Sequence, residues 1–230
     1  MDKVERKVIM TKEEFMKKLE EDEEFSPGWQ AIDDAFDEVY PDASPEHFGT
    51  LLPSRAMFGG EEYLDGYSVY QSPKGYKHIV TYGMTELYGN PEAFGGEYNG
   101  WGYEMTIKLK EDDIEECKWA INMLGNLARY TYTSKRFFEA NQYVKGNGES
   151  LRIGSDSKIT ALLLVNDTEV KTQDTVYGKT EFIQLVGLTT SEVEAVIADP
   201  DNNIPKLIQM MIDDGNPDLV TDMKREKSYM

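Results

Sequence analysis

The sequence predicts an α+β fold in which a mixed, mainly antiparallel sheet packs with helices. Residues 101–109 alternate apolar and polar side chains with a period of two, which is typical of a strand with one buried face. Residues 159–165 form a short, continuous apolar run that favours a strand buried on both faces. Helix-like segments are interspersed without strict βαβ alternation. The chain has 230 residues, 40% of them hydrophobic, which is enough for a single core.

The first predicted helix covers residues 11–24. Thr11 is a suitable N-cap, and Glu14 follows it at the spacing of a capping box. The apolar stripe of this helix is thin. We therefore expect residues 1–25 to form a charged, loosely docked helical extension, and residues 26–230 to form the main domain.

The second predicted helix begins at Ser26 and Pro27, because serine is a good N-cap and proline is favoured at the first helical position. Apolar residues at helical spacing predict one buried face. The other face carries four acidic candidates for binding a partner: Asp33, Asp34, Asp37 and Glu38. They lie within residues 12–46, which hold 13 acidic and 3 basic side chains, a net of −10 out of −19 for the whole chain.

Short extended segments punctuated by glycine dominate the middle of the chain. The further predicted strands cover residues 64–70, 76–82, 181–187 and 219–223. The further predicted helices cover residues 114–132, a segment opened by Ser191 with Glu194 at capping-box spacing, and residues 203–212 capped by Asn203.

The charge of −19 bears on the partners of the protein. A surface this acidic repels phosphate backbones and anionic lipid, so neither nucleic acid nor a membrane is an expected partner. The densest basic run, residues 223–227, is interrupted by Glu226. A basic protein partner is favoured, because long-range attraction speeds its association. The alternative is that the charge only keeps the protein in solution.

The cysteine count and the apolar runs limit the class of protein. Cys117 is the only cysteine, so the chain can form neither an internal disulfide nor a cysteine-based metal cluster. The N-terminus lacks the apolar segment of a signal peptide, and no run is long and apolar enough to span a bilayer. We expect a cytoplasmic protein.

No catalytic or metal-binding motif is complete. The two histidines, His47 and His78, lie on different predicted elements, and His78 is expected to be a hydrogen-bonded structural residue. The Gly178-Lys179-Thr180 segment lacks the first glycine of a phosphate-binding loop, because Gln173 occupies that position. We expect no metal, no cofactor and no enzymatic activity. A hydrolase based on paired carboxylates remains an alternative, because acidic residues are so abundant.

Tyrosine is dense in the first half of the chain, with 14 in all. Tyrosine supplies contact area with a polar end, and it is common both at protein interfaces and in cores rich in strands. Tyr88 and Tyr98 lie in a loop-rich stretch, which makes them the better candidates for an interface.

Several segments together resemble the suppressor of fused domain family. Their order and spacing over residues 26–226 carry the resemblance. The segments are 27–33, 47–50, 64–66, 78–88, 102–110, 124–130, 182–189 and 221–225. The resemblance implies a SUFU-like α+β sandwich and a non-enzymatic, protein-binding role.

The resemblance also implies a region that faces the ligand. Animal members hold Gli-type transcription factors by gripping an extended peptide between this domain and a second one. The loop with Tyr88 and Asn90 matches part of that region. We expect a single-domain member similar to the bacterial branch, which is associated with immunity proteins.

The leading functional hypothesis is therefore an immunity protein, or antitoxin, that neutralises a basic toxin by binding it. The candidate contact residues are Asp33, Asp34, Asp37, Glu38, Tyr88 and Asn90. Two alternatives stand beside it: a regulator that sequesters a peptide of a transcription or signalling factor, and a carboxylate-based hydrolase.

Overall fold

A computed structural model describes residues 10–49 and 63–230, in which eight strands form one open sheet. The strands are β1 Glu46–Gly49, β2 Gly66–Gln71, β3 Lys77–Tyr82, β4 Tyr98–Leu109, β5 Tyr143–Val144, β6 Ile159–Asn166, β7 Gln173–Thr175 and β8 Gly178–Thr189. The order is β1-β2-β3-β4-β8-β6-β5, and β7 pairs with β8 outside this path. Strands β4 and β8 are parallel, and the other described pairs are antiparallel. The predicted fold class is confirmed.

Helices lie on both faces of the sheet. They are α1 Lys12–Glu21, α2 Pro27–Asp37, α3 Lys118–Ser134, α4 Thr190–Ala198 and α5 Pro200–Asp213, and a 3-10 turn, Ile114–Cys117, precedes α3. On one face, α3 packs against β4, β6 and β8. On the other face, α2 packs over β2 and β3, while α4 and α5 pack over β6 and β8. Both faces of the central strands are therefore covered.

Strand β4 differs from the sequence prediction. Its apolar side chains, including Met105 and Ile107, face α3 as the alternation predicts. The polar side chains on its other face, Glu104, Thr106 and Lys108, are also fully buried rather than solvated. The cause is tertiary, because the helices on the second face and residues 167–170 cover this part of the strand.

Helix α1 begins as predicted. The Thr11 hydroxyl accepts a hydrogen bond from the Glu14 amide, and the Glu14 carboxylate accepts one from the Thr11 amide. The helix is not loosely docked, because Phe15 is fully buried and its ring contacts those of Phe94 and Tyr177. Residues 1–9 of the expected extension lie outside the described residues.

Helix α4 begins earlier than predicted. The capping box is formed by Thr189 and Glu192 instead of Ser191 and Glu194. Thr189 is the last residue of β8 and keeps an extended backbone, which an N-cap needs.

The C-terminal part of the chain also differs in its boundaries. Helix α5 begins at Pro200, and Asp199 rather than Asn203 is its N-cap. The strand predicted over residues 219–223 is a single bridge between Thr221 and Leu109.

Candidate functional site

Tyr88 is the most accessible aromatic side chain on the loop that follows β3, and 47% of it is exposed. Its ring centroid lies 6.5 Å from that of Trp29 on α2. Burial, together with the Asp65 carboxylate to which the Tyr88 hydroxyl hydrogen-bonds, raises the pKa of that hydroxyl. The side chain therefore offers a protonated phenol and an open ring face.

The loop that carries Tyr88 is fixed from beneath by Tyr177. The Tyr177 hydroxyl donates to the Tyr88 carbonyl and accepts a 2.9 Å hydrogen bond from the Asn90 amide. The Asn90 side chain donates to Glu86 at 2.7 Å and accepts from the Glu92 amide at 3.0 Å. Asn90 therefore shapes the loop and holds Tyr88 in place.

A groove of about 720 Å³ opens on one side of Tyr88, between α1, α2 and β7, and we call it the α2 groove. Its wall carries the aromatic rings of Phe25, Trp29 and Tyr88. Its charged lining residues are Asp22, Glu24, Asp34 and Asp174 against one cation, Lys18. The Lys18 ammonium lies 5.3 Å from the centre of the Phe25 ring, whereas 47% of Tyr88 is exposed. A concave site that combines aromatic rings with excess carboxylates favours a basic side chain.

A second groove, of about 510 Å³, opens on the other side of Tyr88, and we call it the Trp101 groove. Tyr88 and Trp101 line it, and Asp65 and Glu86 supply its carboxylates. Tyr132 also lines it and donates a 2.5 Å hydrogen bond to the Gly83 carbonyl. Tyr88 therefore stands between two grooves that both carry acidic groups.

The floor of the Trp101 groove rests on the buried carboxylate of Glu104. This carboxylate accepts hydrogen bonds from the amides of Gly83, Met84 and Thr85 and from the hydroxyls of Thr81 and Thr85. Burial raises its pKa to about 7, against the opposing effect of these hydrogen bonds. Because both oxygens are engaged, Glu104 holds the turn between β3 and the Tyr88 loop.

The acidic candidates on α2 separate into three positions. Asp34 lines the α2 groove together with Tyr88. Asp33 points inward, where its carboxylate accepts a 2.7 Å hydrogen bond from the Tyr82 hydroxyl. Asp37 and Glu38 are exposed but line neither groove. The structure thus brings Asp34 and Tyr88 together, and the assignment of all six residues to partner binding stays a prediction.

A buried ionic cluster lies on the second face of the sheet. His78 lies between the Tyr40 hydroxyl and the Asp167 carboxylate, at 2.9 Å from each. The Lys108 ammonium lies 3.2 Å from Asp167 and 3.1 Å from Glu169. His78 is thus the hydrogen-bonded structural residue that we expected, and the cluster joins β3 and β4 to the segment that follows β6.

The sequence analysis did not find this cluster, although one signal was available. Asp167 and Glu169 come directly after the continuous apolar run of β6, at the end of a strand buried on both faces. Carboxylates at that place need buried cationic partners. Lys108 could not be recognised as the partner, because it occupies a polar position that alternation assigns to solvent.

The carboxylate arrangement does not favour a hydrolase. Burial raises the pKa of Asp33, Glu104 and Glu111, as an acid catalyst would require. None of these three lines the α2 groove or the Trp101 groove. The carboxylates accessible from the grooves and those with raised pKa are therefore different groups.

Comparison with known proteins decides the family. The family model described as Suppressor of fused protein (SUFU) matches residues 60–226. The chain belongs to the suppressor of fused family. It is 29% identical over 200 residues to the human Suppressor of fused homolog, and the mouse homolog gives the same figures. These alignments cover 81% of this chain and 41% of each relative, so the chain spans about two fifths of their length.

Solved structures of the suppressor of fused family share the fold. The TM-score is 0.76 to a chain of the Sufu-Fu complex, at 25% identity over 88% of this chain and 92% of that one. It is 0.75 to Drosophila Suppressor of Fused, at 26% identity over 88% and 51% of the two chains. A putative SUFU homolog from Neisseria gonorrhoeae shares the fold alone, with a TM-score of 0.57 and 15% identity over 87% and 96%.

No helix within residues 10–49 and 63–230 is long and apolar enough to cross a bilayer. In the same ranges, no group of three or more His, Cys, Asp or Glu side chains is placed to hold a metal ion. The expected cytoplasmic location stays a prediction.

Proposed function

We propose that this protein is a non-enzymatic binding domain that sequesters a short, basic segment of a partner protein at the two grooves flanking Tyr88. The observation that carries the proposal is the position of Tyr88, an open aromatic ring on a fixed loop between two concave acidic surfaces. Tyrosine in such a position is a frequent hot spot of protein interfaces.

The family supports a protein partner. Over 88% of its length the chain has the fold of a chain from the Sufu-Fu complex, in which Sufu is bound to a second protein, Fu. This likeness favours a regulator that sequesters a signalling or transcription factor, the alternative in our sequence analysis, over the immunity protein that we ranked first.

The charge of the partner follows from the lining of the grooves. Among the described residues, the two grooves are lined by six carboxylates and one lysine: Asp22, Glu24, Asp34, Asp174, Asp65 and Glu86 against Lys18. A lysine or arginine of the partner can lie over the Tyr88 or Trp29 ring while its charge faces a carboxylate. The net charge of −19 adds long-range attraction for such a partner.

An immunity protein that masks a toxin is the second candidate. The observation in its favour is the acidic N-terminal region, because a strongly acidic inhibitor associates rapidly with a basic enzyme. The two candidates differ in their partner: the regulator holds a linear segment, whereas the immunity protein covers a folded toxin that harms cells when expressed alone.

The test compares Tyr88→Ala and Asp34→Asn with two matched controls. Tyr98→Ala removes another exposed tyrosine, 53% exposed, that lines neither groove, and Asp37→Asn removes another α2 carboxylate outside them. Each tagged chain is used to capture proteins from the native cell, with quantification by mass spectrometry. We expect Tyr88→Ala to reduce a stoichiometric partner about 30-fold, which corresponds to a hot spot of about 2 kcal/mol.

Asp34→Asn should reduce the same partner by several-fold, and both controls should retain it. If the partner is captured equally by Tyr88→Ala and Tyr98→Ala, the grooves are not the binding site. Fragments of the captured partner then separate the two candidates: a linear peptide that binds as well as the whole protein indicates the regulator.

A further inference from the structure

A basic and aromatic surface lies at the C-terminal end of α3, in a protein that is otherwise strongly acidic. Residues 117–138 contain no Asp or Glu, although 43 of the 230 residues in the chain are acidic. The exposed charged and aromatic side chains at the end of this stretch are Arg129, Tyr130, Lys135, Arg136 and Phe137. We call these five residues the α3 patch.

The cations of the α3 patch are not neutralised by ion pairs within the described part of the chain. None of Arg129, Lys135 and Arg136 forms an ion pair with any residue in the described ranges. By contrast, the C-terminal basic run is neutralised, since Arg225 pairs with Glu192 and Lys227 pairs with Asp214. Other lysines are also unpaired, but Arg129, Lys135 and Arg136 lie close together in a stretch, residues 117–138, that contains no acidic residue. They therefore form a local positive surface in an acidic protein.

The aromatic side chains of the α3 patch are exposed on a fixed backbone. Tyr130 is 43% exposed and Phe137 is 52% exposed. The Tyr130 ring stacks on Phe138 at a centroid distance of 5.8 Å, and the Phe138 amide donates to the buried Tyr103 hydroxyl. The patch is therefore organised before a partner arrives, which lowers the entropy lost on binding.

Stabilisation of the helix explains only part of this arrangement. Cations near a helix C-terminus interact favourably with the macrodipole, and Lys135 is the C-cap of α3. That role needs no exposed aromatic ring beside the cations. The exposed rings of Tyr130 and Phe137 supply apolar contact area for a partner.

We propose that the α3 patch binds an acidic segment of a protein partner that also carries an aromatic or large apolar residue. Its carboxylates pair with Arg129, Lys135 and Arg136, and its apolar side chain packs against Tyr130 and Phe137. This surface is chemically the opposite of the grooves beside Tyr88, which attract basic groups. At long range, the net negative charge of the protein repels an acidic segment. The attraction of the α3 patch acts only within about one Debye length, roughly 8 Å at physiological salt.

The test uses a short fluorescein-labelled peptide in which glutamates flank a central tryptophan, and a counterpart with serines in place of the glutamates. The triple variant Arg129→Gln, Lys135→Gln, Arg136→Gln removes the three charges. Its control, Lys158→Gln, Lys171→Gln, Lys206→Gln, removes three other exposed lysines that form no ion pair in the described part of the chain. Both variants have the same net charge, so the long-range repulsion between the protein and the glutamate peptide changes equally.

A second pair of variants tests the aromatic contact. Phe137→Ser removes an exposed ring of the patch, and Ile153→Ser removes an apolar side chain that is 97% exposed elsewhere. A charge-preserving variant, Arg129→Lys, Lys135→Arg, Arg136→Lys, keeps the test valid if loss of charge weakens the helix. Binding is measured by fluorescence anisotropy, and folding of each variant by thermal denaturation.

We expect the wild-type chain, both controls and the charge-preserving variant to bind the glutamate peptide more tightly than the serine peptide. The glutamine variant of the patch should bind it about tenfold more weakly, as expected for the loss of three exposed ion pairs. Phe137→Ser should weaken binding while Ile153→Ser does not.

Three results would overturn the proposal. One is equal affinity of the patch variant and the lysine control for the glutamate peptide. Another is a wild-type chain that does not distinguish the glutamate peptide from the serine peptide. The last is patch-dependent binding to phosphatidylserine vesicles or to single-stranded DNA without any binding of the peptide, which would assign the patch to a lipid or nucleic-acid surface.

Discussion

Replacing Lys108 by methionine tests the buried ionic cluster most directly, because the change removes the charge and keeps most of the side-chain length. The Lys108 ammonium donates to the Thr168 hydroxyl at 2.6 Å and lies 3.2 and 3.1 Å from Asp167 and Glu169. The side chains of Lys108 and Asp167 are fully buried. Without the Lys108 charge, the carboxylates of Asp167 and Glu169 each lose a cationic partner.

The expected loss in the free energy of unfolding depends on the hydrogen bonds and ion pairs that each carboxylate keeps in the variant. Asp167 still accepts hydrogen bonds from His78, from the Thr106 hydroxyl and from two backbone amides. Glu169 keeps Lys74 and the Tyr76 hydroxyl, and part of it reaches solvent. Removing one partner of a buried ion pair destabilises proteins by about 3–5 kcal/mol, so we expect the lower end, about 3 kcal/mol at pH 7.

The loss should depend on pH. The lysines and hydrogen bonds around Glu169 outweigh its desolvation and lower its pKa from 4.5 to about 2. A lowered pKa gives stability that is present above the unfolded value and disappears as the pH falls toward the folded value. Without Lys108 the pKa of Glu169 rises, so the difference between variant and wild type should shrink below about pH 4.5.

The assay is urea unfolding at pH 7 and near pH 3.5, followed by circular dichroism. Lys110→Met is the matched control, because Lys110 directly follows β4, is exposed and pairs with Asp222 at 2.9 Å. We expect the control to change the free energy of unfolding by at most about 1 kcal/mol. Equal losses for the two variants, or a Lys108→Met loss that does not shrink in acid, would refute the reasoning.

Two further predictions concern buried side chains of helix α1 and of the 3-10 turn that precedes α3. Phe15→Ala should lower the free energy of unfolding by about 3 kcal/mol, because the ring is fully buried, whereas Met16→Ala on the exposed face should change it little. Urea unfolding measures both, and similar values would show that α1 is only loosely attached. Burial raises the pKa of the Cys117 thiol to about 12, so a disulfide reagent at about pH 8 should label it only as fast as the protein unfolds. Rapid labelling of the native protein would contradict the buried position.

The sequence predicted those features that depend on local patterns. The capping box of Thr11 and Glu14 and the strand over residues 101–109 were both found, because each is defined by neighbours in the chain. The cap at Ser191 was wrong, since Thr189 offers the same chemistry and is placed by the end of β8. When two nearby residues could both cap a helix, the end of the preceding strand decides which one does so.

The candidate site was predictable in part. Tyr88 and Asp34 were named from loop position and helical spacing, and the structure places them on one groove. Asp33, adjacent to Asp34 in sequence, is turned inward to Tyr82, because one step along a helix rotates a side chain by about 100°. The α3 patch was missed, because Arg129 and Tyr130 are separated from Lys135, Arg136 and Phe137 by four neutral residues in the sequence.

The sequence by itself determined the α+β class, the acidic character, the lack of an internal disulfide and the resemblance to the suppressor of fused family, all of which are properties of composition or local order. Only the tertiary structure decided which charges meet. Lys108 pairs with residues about 60 positions away, and Tyr88 becomes a groove wall through contact with Trp29. Strand order and helix packing decide these contacts, because they bring together segments that are distant in sequence. Local sequence patterns do not show which distant segments will meet.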